Sequence, residues 1–278
     1  MSEIYEVNRA GWDERAAIHL RDVGGFYNVA GFRAGADTLL PIEANEIGDV
    51  NGLRVAHLQC HIGLDTLSLV RRGAEVVGLD FSSVAIAAAR QLGHEAGLCA
   101  TFVEANVYDA RTALTGLFDL VYVTWGAINW LPDIARWGRI VGSLLRPGGR
   151  LYMADTHPFA FCLAETRQGY RVYDTWRSVP DKPIVYDTDT TYTGDPVPLV
   201  HRRYYEWAHP ISSILGAIRE GGLQLECFNE HETLTYKLFP SLIADGPQSY
   251  RLPSNVPAFP LSFSLWATNK PEDPPAPS

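Results

Sequence analysis

The sequence predicts a doubly wound α/β fold, and three observations carry that reading. From residue 53 onward, short apolar runs of strand length alternate with amphipathic stretches of helix length. Strands that alternate with helices imply parallel βαβ units. The chain has 278 residues, 46% of them hydrophobic and 20% charged, which suits one or two soluble domains with a full core and excludes long disorder as the main state.

Residues 1–50 read as an N-terminal helical cap of short helices and loops. Asn8 to Leu20 carries Ala10, Ala16, Ala17 and Leu20 among charges, and Gly24, Gly25, Gly31 and Gly35 interrupt the stretch after it. The core spans 51–157. LRVAHL (53–58) is a buried strand and LDTLSLVRR (64–72) a helix stopped by Gly73. EVVGL (75–79) is the second strand, and SSVAIAAARQLGHEAG (82–97) is a helix with a serine start and a glycine stop. ATFVE (100–104), FDLVYVT (118–124) and GRLYMAD (149–155) are further strands, with LPDIARWGRIVGSLL (131–145) the helix before the last.

Residues 158–208 break this rhythm and read as an inserted lid or hairpin, with extended pieces PIVYDTDTTYT (183–193) and LVHRRYYEW (199–207). Residues 209–270 complete the core. PISSILGAIREGG (210–222) is a helix with Pro210 in its first turn and Gly221-Gly222 as its stop. LQLECFNEH (223–231) and LSFSLWATN (261–269) are closing strands. The loop between them, 232–260, is long enough to suggest a role at a site. The Pro-rich tail 271–278 is expected to be disordered.

Charge and cysteine usage narrow the function. With 23 Lys and Arg against 32 Asp and Glu, the net charge is −9, which argues against a nucleic-acid partner. Cys60, Cys99, Cys162 and Cys227 form no C-x-x-C pair, so neither a zinc site nor a disulfide scaffold is signalled, and no metal is expected. No apolar signal core opens the chain, and no run approaches the length of a membrane span. The expectation is a cytoplasmic protein without a membrane partner.

Ligands of open α/β sheets bind beyond the C-terminal strand ends. The turn after strand one, VAHLQCHIG (55–63), places Gln59, His61 and Gly63 where a nucleotide-binding turn has three glycines. Strand two ends in Asp80, 17 residues after Gly63, where an acid accepts ribose hydroxyls. The same Asp80 can instead act as a helix N-terminal charge before Ser82. Phe81 can lie on a purine face. Asn106-Val107 follows strand three, where an amide can read an adenine amino group or simply cap its own turn. The ordered set is more specific than any member.

These residues, with VVGLDFS (76–82), FVEANVYD (102–109), FDLVYVTWGAINWLPD (118–133) and the L-x-P-G-G of LLRPGGRLYMAD (144–155), make the chain resemble the class I S-adenosylmethionine-dependent methyltransferases over residues 50–157. HLQCHIGLDTLSL, NRAGWDER and GFRAGADTL resemble a bacterial small-molecule subgroup. The resemblance implies a Rossmann-like seven-stranded sheet with its last strand antiparallel, and S-adenosyl-L-methionine as cofactor. It implies cofactor contacts from Gln59, His61, Gly63, Asp80, Phe81, Ser82, Asn106 and Val107. The sequence departs from the family pattern at His57 and Asn106, where acids are usual, and at Gln59 and His61, where glycines are usual.

The implied chemistry is in-line displacement at a sulfonium methyl, which needs positioning and exclusion of water. Trp125, just after strand four, is the candidate to face the cation, followed by Trp12 and Tyr5 on the cap. Arg33 of GFRAG is a candidate partner for the cofactor carboxylate, or else a surface ion pair. His157 and His209 are the candidate bases, against the plainer reading of structural histidines. Asp155 and Asn129 are candidates to orient a polar substrate. The leading expectation is methyl transfer to N or O of a small metabolite. A non-catalytic adenosyl-ligand-binding protein is the alternative. A nicotinamide-dependent dehydrogenase ranks lower, because the turn has one glycine of three and P-G-G precedes strand five. The sequence leaves the acceptor and the oligomeric state open.

Overall fold

Residues 2–270 are described by a computed structural model; the tail 271–278 lies outside the described residues. The chain opens with helix α1 (Ser2–Arg21), longer than the segment expected from the sequence. Its buried face includes Asn8, Arg15 and His19 alongside Ala16 and Ile18, so polar residues disguise its amphipathic pattern. Burial of those groups is tolerable because each finds a partner: Asn8 exchanges two hydrogen bonds with the Tyr205 backbone, at 2.8 and 2.9 Å. Short helices α2 (Val29–Arg33) and α3 (Pro41–Glu46) complete the cap.

The core then runs β1 (Arg54–Leu58), α4 (Leu64–Arg71), β2 (Glu75–Asp80), α5 (Ser83–Ala96) and β3 (Thr101–Glu104). Ser82 caps α5 by accepting from Ala85 N at 3.0 Å, and Gly97 ends it in the left-handed region at φ 64°. A 3₁₀ turn (Val107–Asp109) and α6 (Ala110–Ala113) lead to β4 (Phe118–Thr124). A second 3₁₀ turn (Ile128–Trp130) leads to α7 (Ile134–Leu144) and β5 (Leu145–Thr156). β5 starts four residues before the expected Gly149. Phe118 pairs with Leu145 and Leu120 with Arg150, so the strand bulges across Pro147-Gly148-Gly149 rather than beginning after it.

The inserted segment forms α8 (Pro158–Phe161) and two hairpins, β6 (Leu163–Thr166) with β7 (Gly169–Val172) and β8 (Ile184–Asp187) with β9 (Arg203–Glu206). Helix α9 (Ile211–Glu220) and β10 (Gln224–His231) come next. The stretch 232–260, expected to serve a site, instead contains β11 (Thr233–Leu234), β12 (Ile243–Ala244) and β13 (Tyr250–Arg251). Leu234, Phe239, Leu242 and Leu252 there bury themselves with Ala160 and Leu261 as a satellite core. The loop's length serves packing, and its residues line neither of the two cavities at the strand ends. The last strand is β14 (Ser262–Thr268).

The main sheet has seven strands in the order β10-β14-β5-β4-β1-β2-β3. β1, β2, β3, β4 and β5 pair in parallel, and β14 inserts antiparallel to both its neighbours. Strand order reverses between β1 and β4, which is where a doubly wound sheet opens its ligand crevice. Among the described residues no helix is long and apolar enough to cross a membrane.

Helices α7 and α9 pack against each other at unusually close range. A Cβ on Gly138 would lie 2.0 Å from Ala217 O, so only hydrogen fits. Gly138→Ala is expected to cost at least about 1–3 kcal/mol, as overpacked cores do. Gly216 has open space around it, and Gly216→Ala is expected to add roughly 0.5–1 kcal/mol. Urea unfolding of the two variants checks both signs.

A candidate cofactor cleft and a second cavity

The turn after β1 is shaped by an acid on the neighbouring strand. Gln59 and His61 both sit in the left-handed region, at φ 57° and 51°, a conformation costing side-chain-bearing residues of order 1–2 kcal/mol each. Asp80 holds the turn there. Its Oδ2 accepts from His61 N and its Oδ1 from Ser82 N, each at 2.9 Å. Burial pushes the Asp80 carboxyl up to about 6, against the pull of these backbone donors. Gly63 ends the turn at φ 76°, where a Cβ would meet Ala89 Cβ at 2.6 Å; the glycine is needed for α5 to pack closely.

The two side chains at the glycine-like positions leave in different directions. Gln59 crosses the strand ends and donates from Nε2 to Ala127 O at 2.6 Å, while its Oε1 is buried with no donor. His61 enters the cap. Its Nε2 lies 2.9 Å from His19 Nδ1, and His19 Nε2 lies 2.6 Å from Thr191 Oγ1. Burial lowers these imidazoles to about 3 and about 2, so the pair is neutral and one ring donates to the other. Trp12 stands edge-on to His61 and to Trp130, with centroids at 5.2 and 5.0 Å.

A cavity of about 250 Å³ opens beside Gln59, lined by Phe81, Asn106, Val107, Tyr108 and Trp130 and roofed by Tyr5 and Asn8 of α1. Four of the residues singled out from the sequence, Gln59, Phe81, Asn106 and Val107, thus converge there from three successive strand ends. Asp80 stands behind the wall, bound to the turn. Ser82 caps α5 and donates to Asp13 Oδ1 at 2.6 Å, latching α1 to the α5 terminus. Asn106 Oδ1 accepts from Tyr108 N at 2.9 Å. The oxygen expected to face an adenine therefore caps its own turn.

Other candidates are placed elsewhere. Arg33 pairs with Glu95 at 2.9 Å on an exposed helix face, the surface ion pair that was its alternative. Trp125 donates its indole N–H to buried Glu43 at 3.0 Å and packs into the core below the β4 end. Trp12 packs among aromatic rings beside the cleft without lining it. His157 caps α8 by accepting from Phe159 N at 3.1 Å. Its Nε2 comes within 3.2 Å of Glu230 without hydrogen-bond alignment, and it lines neither cavity.

A second, smaller cavity of about 50 Å³ lies between the β4 and β5 ends and the inserted segment. Asn129, Asp155, Asp174, Tyr186, Glu206 and His209 line it. Trp207 lines both cavities, and the turn carrying Asn129 and Trp130 stands between them. Asp155 Oδ1 accepts from Gly126 N at 2.8 Å and Thr156 N at 2.7 Å, so it braces this turn. His209 donates from Nε2 to Leu131 O at 2.8 Å, and burial lowers its pKa. Burial pushes Glu206 up to about 7, opposed by a hydrogen bond from Asn129. Asp174, Tyr186 and Glu206 escaped the sequence reading. The excess of Tyr and Asp in 158–208 was the one signal for them, but nothing in the spacing says which residues turn inward.

A reversed seventh strand and a cleft across the β1, β2 and β3 ends define the fold of the class I S-adenosylmethionine-dependent methyltransferases. Residues 56–151 match the family described as a methyltransferase domain. The ubiquinone biosynthesis O-methyltransferase of Xanthomonas oryzae pv. oryzae (strain PXO99A) is 32% identical over 118 residues, which is 42% of this chain and 49% of that protein. The protein of the same name from Pseudomonas aeruginosa (strain LESB58) is 26% identical over 129 residues, 45% of this chain and 55% of that one. The chain thus spans about half the length of the curated relatives it matches. An S-adenosylmethionine-dependent methyltransferase from Mesorhizobium loti superposes with a TM-score of 0.56 at 20% identity, covering 85% of this chain and 99% of that one. One from Methanosarcina mazei gives 0.55 at 17% identity, covering 84% and 99%.

Glu43, which holds Trp125, yields a pH test. Burial raises its carboxyl to about 8 from 4.5. A raised folded-state value means that its stabilising contribution is complete below about 4.5 and is lost as pH rises through about 8. Glu43→Gln keeps an acceptor for Trp125 and cannot ionise. The stability of the wild type relative to this variant is expected to fall between pH 5 and pH 8, read by urea unfolding at about those two values.

Proposed function

We propose that the chain transfers the methyl group of S-adenosylmethionine to a nitrogen or oxygen of a small-molecule acceptor. The adenosyl part would occupy the cleft roofed by α1, and the acceptor the cavity under the inserted segment. The observation that carries this reading is the pairing of the two cavities: Trp207 lines both, and the 128–130 turn separates them.

The residues present fit the cofactor. Phe81 offers an aromatic face inside the cleft, and Gln59 leaves a buried Oε1 without a donor, an acceptor that a ligand N–H or hydroxyl would satisfy. The cavity volume is near the lower edge for small-molecule sites, and α1 closes it from above. When bound, S-adenosylmethionine supplies a methyl already activated by the sulfonium charge. The chain's own work is to hold the Gln59 to Gly63 turn in place through Asp80, to keep water out with Trp12, Trp130 and Trp207, and to aim the acceptor. The O-methyltransferase names of the curated relatives support methyl transfer.

Equilibrium titration tests the reading. S-adenosylhomocysteine is expected to bind in the micromolar range, and Asp80→Ala to weaken it by about tenfold or more, equivalent to about 1.4 kcal/mol, because the β1 turn loses its brace. Phe81→Ala should weaken it without lowering the melting temperature much. Tight binding of NAD or NADP with no response to S-adenosylhomocysteine would overturn the proposal.

A further inference from the structure

The donors and acceptors lining the smaller cavity are unequally used. The hydroxyl, imidazole and indole donors there are already committed. The Tyr186 hydroxyl donates to Asp174 at 2.7 Å, His209 Nε2 to Leu131 O at 2.8 Å, and Thr175 Oγ1 to Arg177 O at 2.8 Å. The Trp207 indole donates to Pro180 O at 3.2 Å, and the Thr156 hydroxyl is shared with Tyr236 at 2.7 Å. Asn129 donates to Glu206, and both side chains keep accepting capacity beyond that bond. Asn129 Oδ1 is buried with no donor. Glu206 is 7% exposed, and among the described residues no Lys or Arg nitrogen forms an ion pair with it. Arg15, its nearest influence of opposite sign, donates to Gly11 O at 3.1 Å and stands over the Tyr204 ring.

A carboxylate held this deep without a counter-ion is costly unless something pairs with it. A cavity whose donors are spent and whose acceptors are free selects a ligand that brings donors and positive charge. Tyr186 and Trp207 add aromatic surface that suits a cation. No group of His, Cys, Asp and Glu among the described residues converges to hold a metal ion, so the fitting cation is organic.

Taking methyl transfer as the parent reading, we propose that the acceptor is a primary or secondary amine, bound as its ammonium ion by Glu206 and Asn129 Oδ1. Glu206 then takes the proton that frees the nitrogen lone pair. In that step an N–H bond breaks and an O–H bond forms on Glu206, leaving a neutral amine and a neutral carboxyl. The amine lone pair next forms a C–N bond to the methyl carbon as the C–S bond breaks, and the sulfur keeps the electron pair as a neutral thioether. The product nitrogen carries the positive charge away, and Glu206 returns its proton to solvent. The ionisation of Glu206 near pH 7 is compatible with this exchange. Asp155, Asp174, Tyr186, Tyr204, Tyr236, His209 and Arg15 are the titratable groups around it, and burial is the largest influence on its pKa.

The test needs no knowledge of the natural substrate. Phenethylammonium, 2-phenylethanol and phenylacetate share a ring and differ in charge and donors. Each is titrated by NMR into the chain saturated with S-adenosylhomocysteine. The ammonium ion is expected to bind in the millimolar range or tighter, about tenfold or more ahead of the alcohol, with the carboxylate weakest. Glu206→Gln should abolish that preference while leaving alcohol binding within about twofold. Ammonium binding should weaken as pH falls below about 7, where Glu206 gains its proton. Equal or tighter binding of the alcohol or carboxylate, no binding of the ammonium ion, or a preference that survives Glu206→Gln would overturn the amine assignment. S-adenosylhomocysteine affinity, measured in the same samples, separates the two failures. If it is retained, only the amine assignment falls; if it is absent, the methyl-transfer reading falls first.

Discussion

The pair of hydrogen bonds that Asp80 accepts from the backbone of His61 and Ser82 is the contact on which the cleft depends. It joins the turn after β1 to the turn after β2. Without it, His61 would lose the acceptor for its backbone N–H, and the turn would be freer to relax toward conformations that side chains prefer. A glycine-rich turn needs no such brace, because glycine takes the left-handed region at no steric cost. Here the strain is stored by one buried carboxylate, and what it gains is two side chains where the fold ordinarily has none. Gln59 reaches across to the β4 end, and His61 reaches up into the cap.

Those two reaches organise the second half of the molecule. His61, His19 and Thr191 form one buried chain from the core through α1 to the inserted segment. Asn8 and Tyr205 form another, and Asp13 with Ser82 a third. All three link segments far apart in sequence, so the roof over the cleft exists only when the core, α1 and the insertion are assembled together.

The matched stretch, residues 56–151, contains the strand-end wall of the larger cavity and the Ile128–Trp130 turn, but not Asp174, Tyr186, Glu206, Trp207 or His209. The scaffold and most of the wall of the smaller cavity thus come from different parts of the chain. A fold of this kind hosts many chemistries, and selectivity resides in what is added to it. The added part is a pair of hairpins whose inward face is rich in carboxylates and aromatic rings.

The sequence by itself determined the strands, helices and turn positions of the core, because each is written in a local pattern: apolar runs, a serine cap, a glycine stop and an acid at a strand end. It also located the cleft, since Gln59, Phe81, Asn106 and Val107 lie at successive strand ends and the sheet topology brings such ends together. It could not place Arg33, Trp125 or His157, whose partners Glu95, Glu43 and Phe159 were decided by packing; among them only Phe159 is near in sequence. Nor could it show that Asp80 faces a turn, that the stretch 232–260 buries its own apolar residues, or that Glu206 points inward. Those are decided by which face of a hairpin or loop meets the rest of the molecule. That choice rests on contacts between residues tens to hundreds of positions apart, which only the assembled tertiary structure can settle.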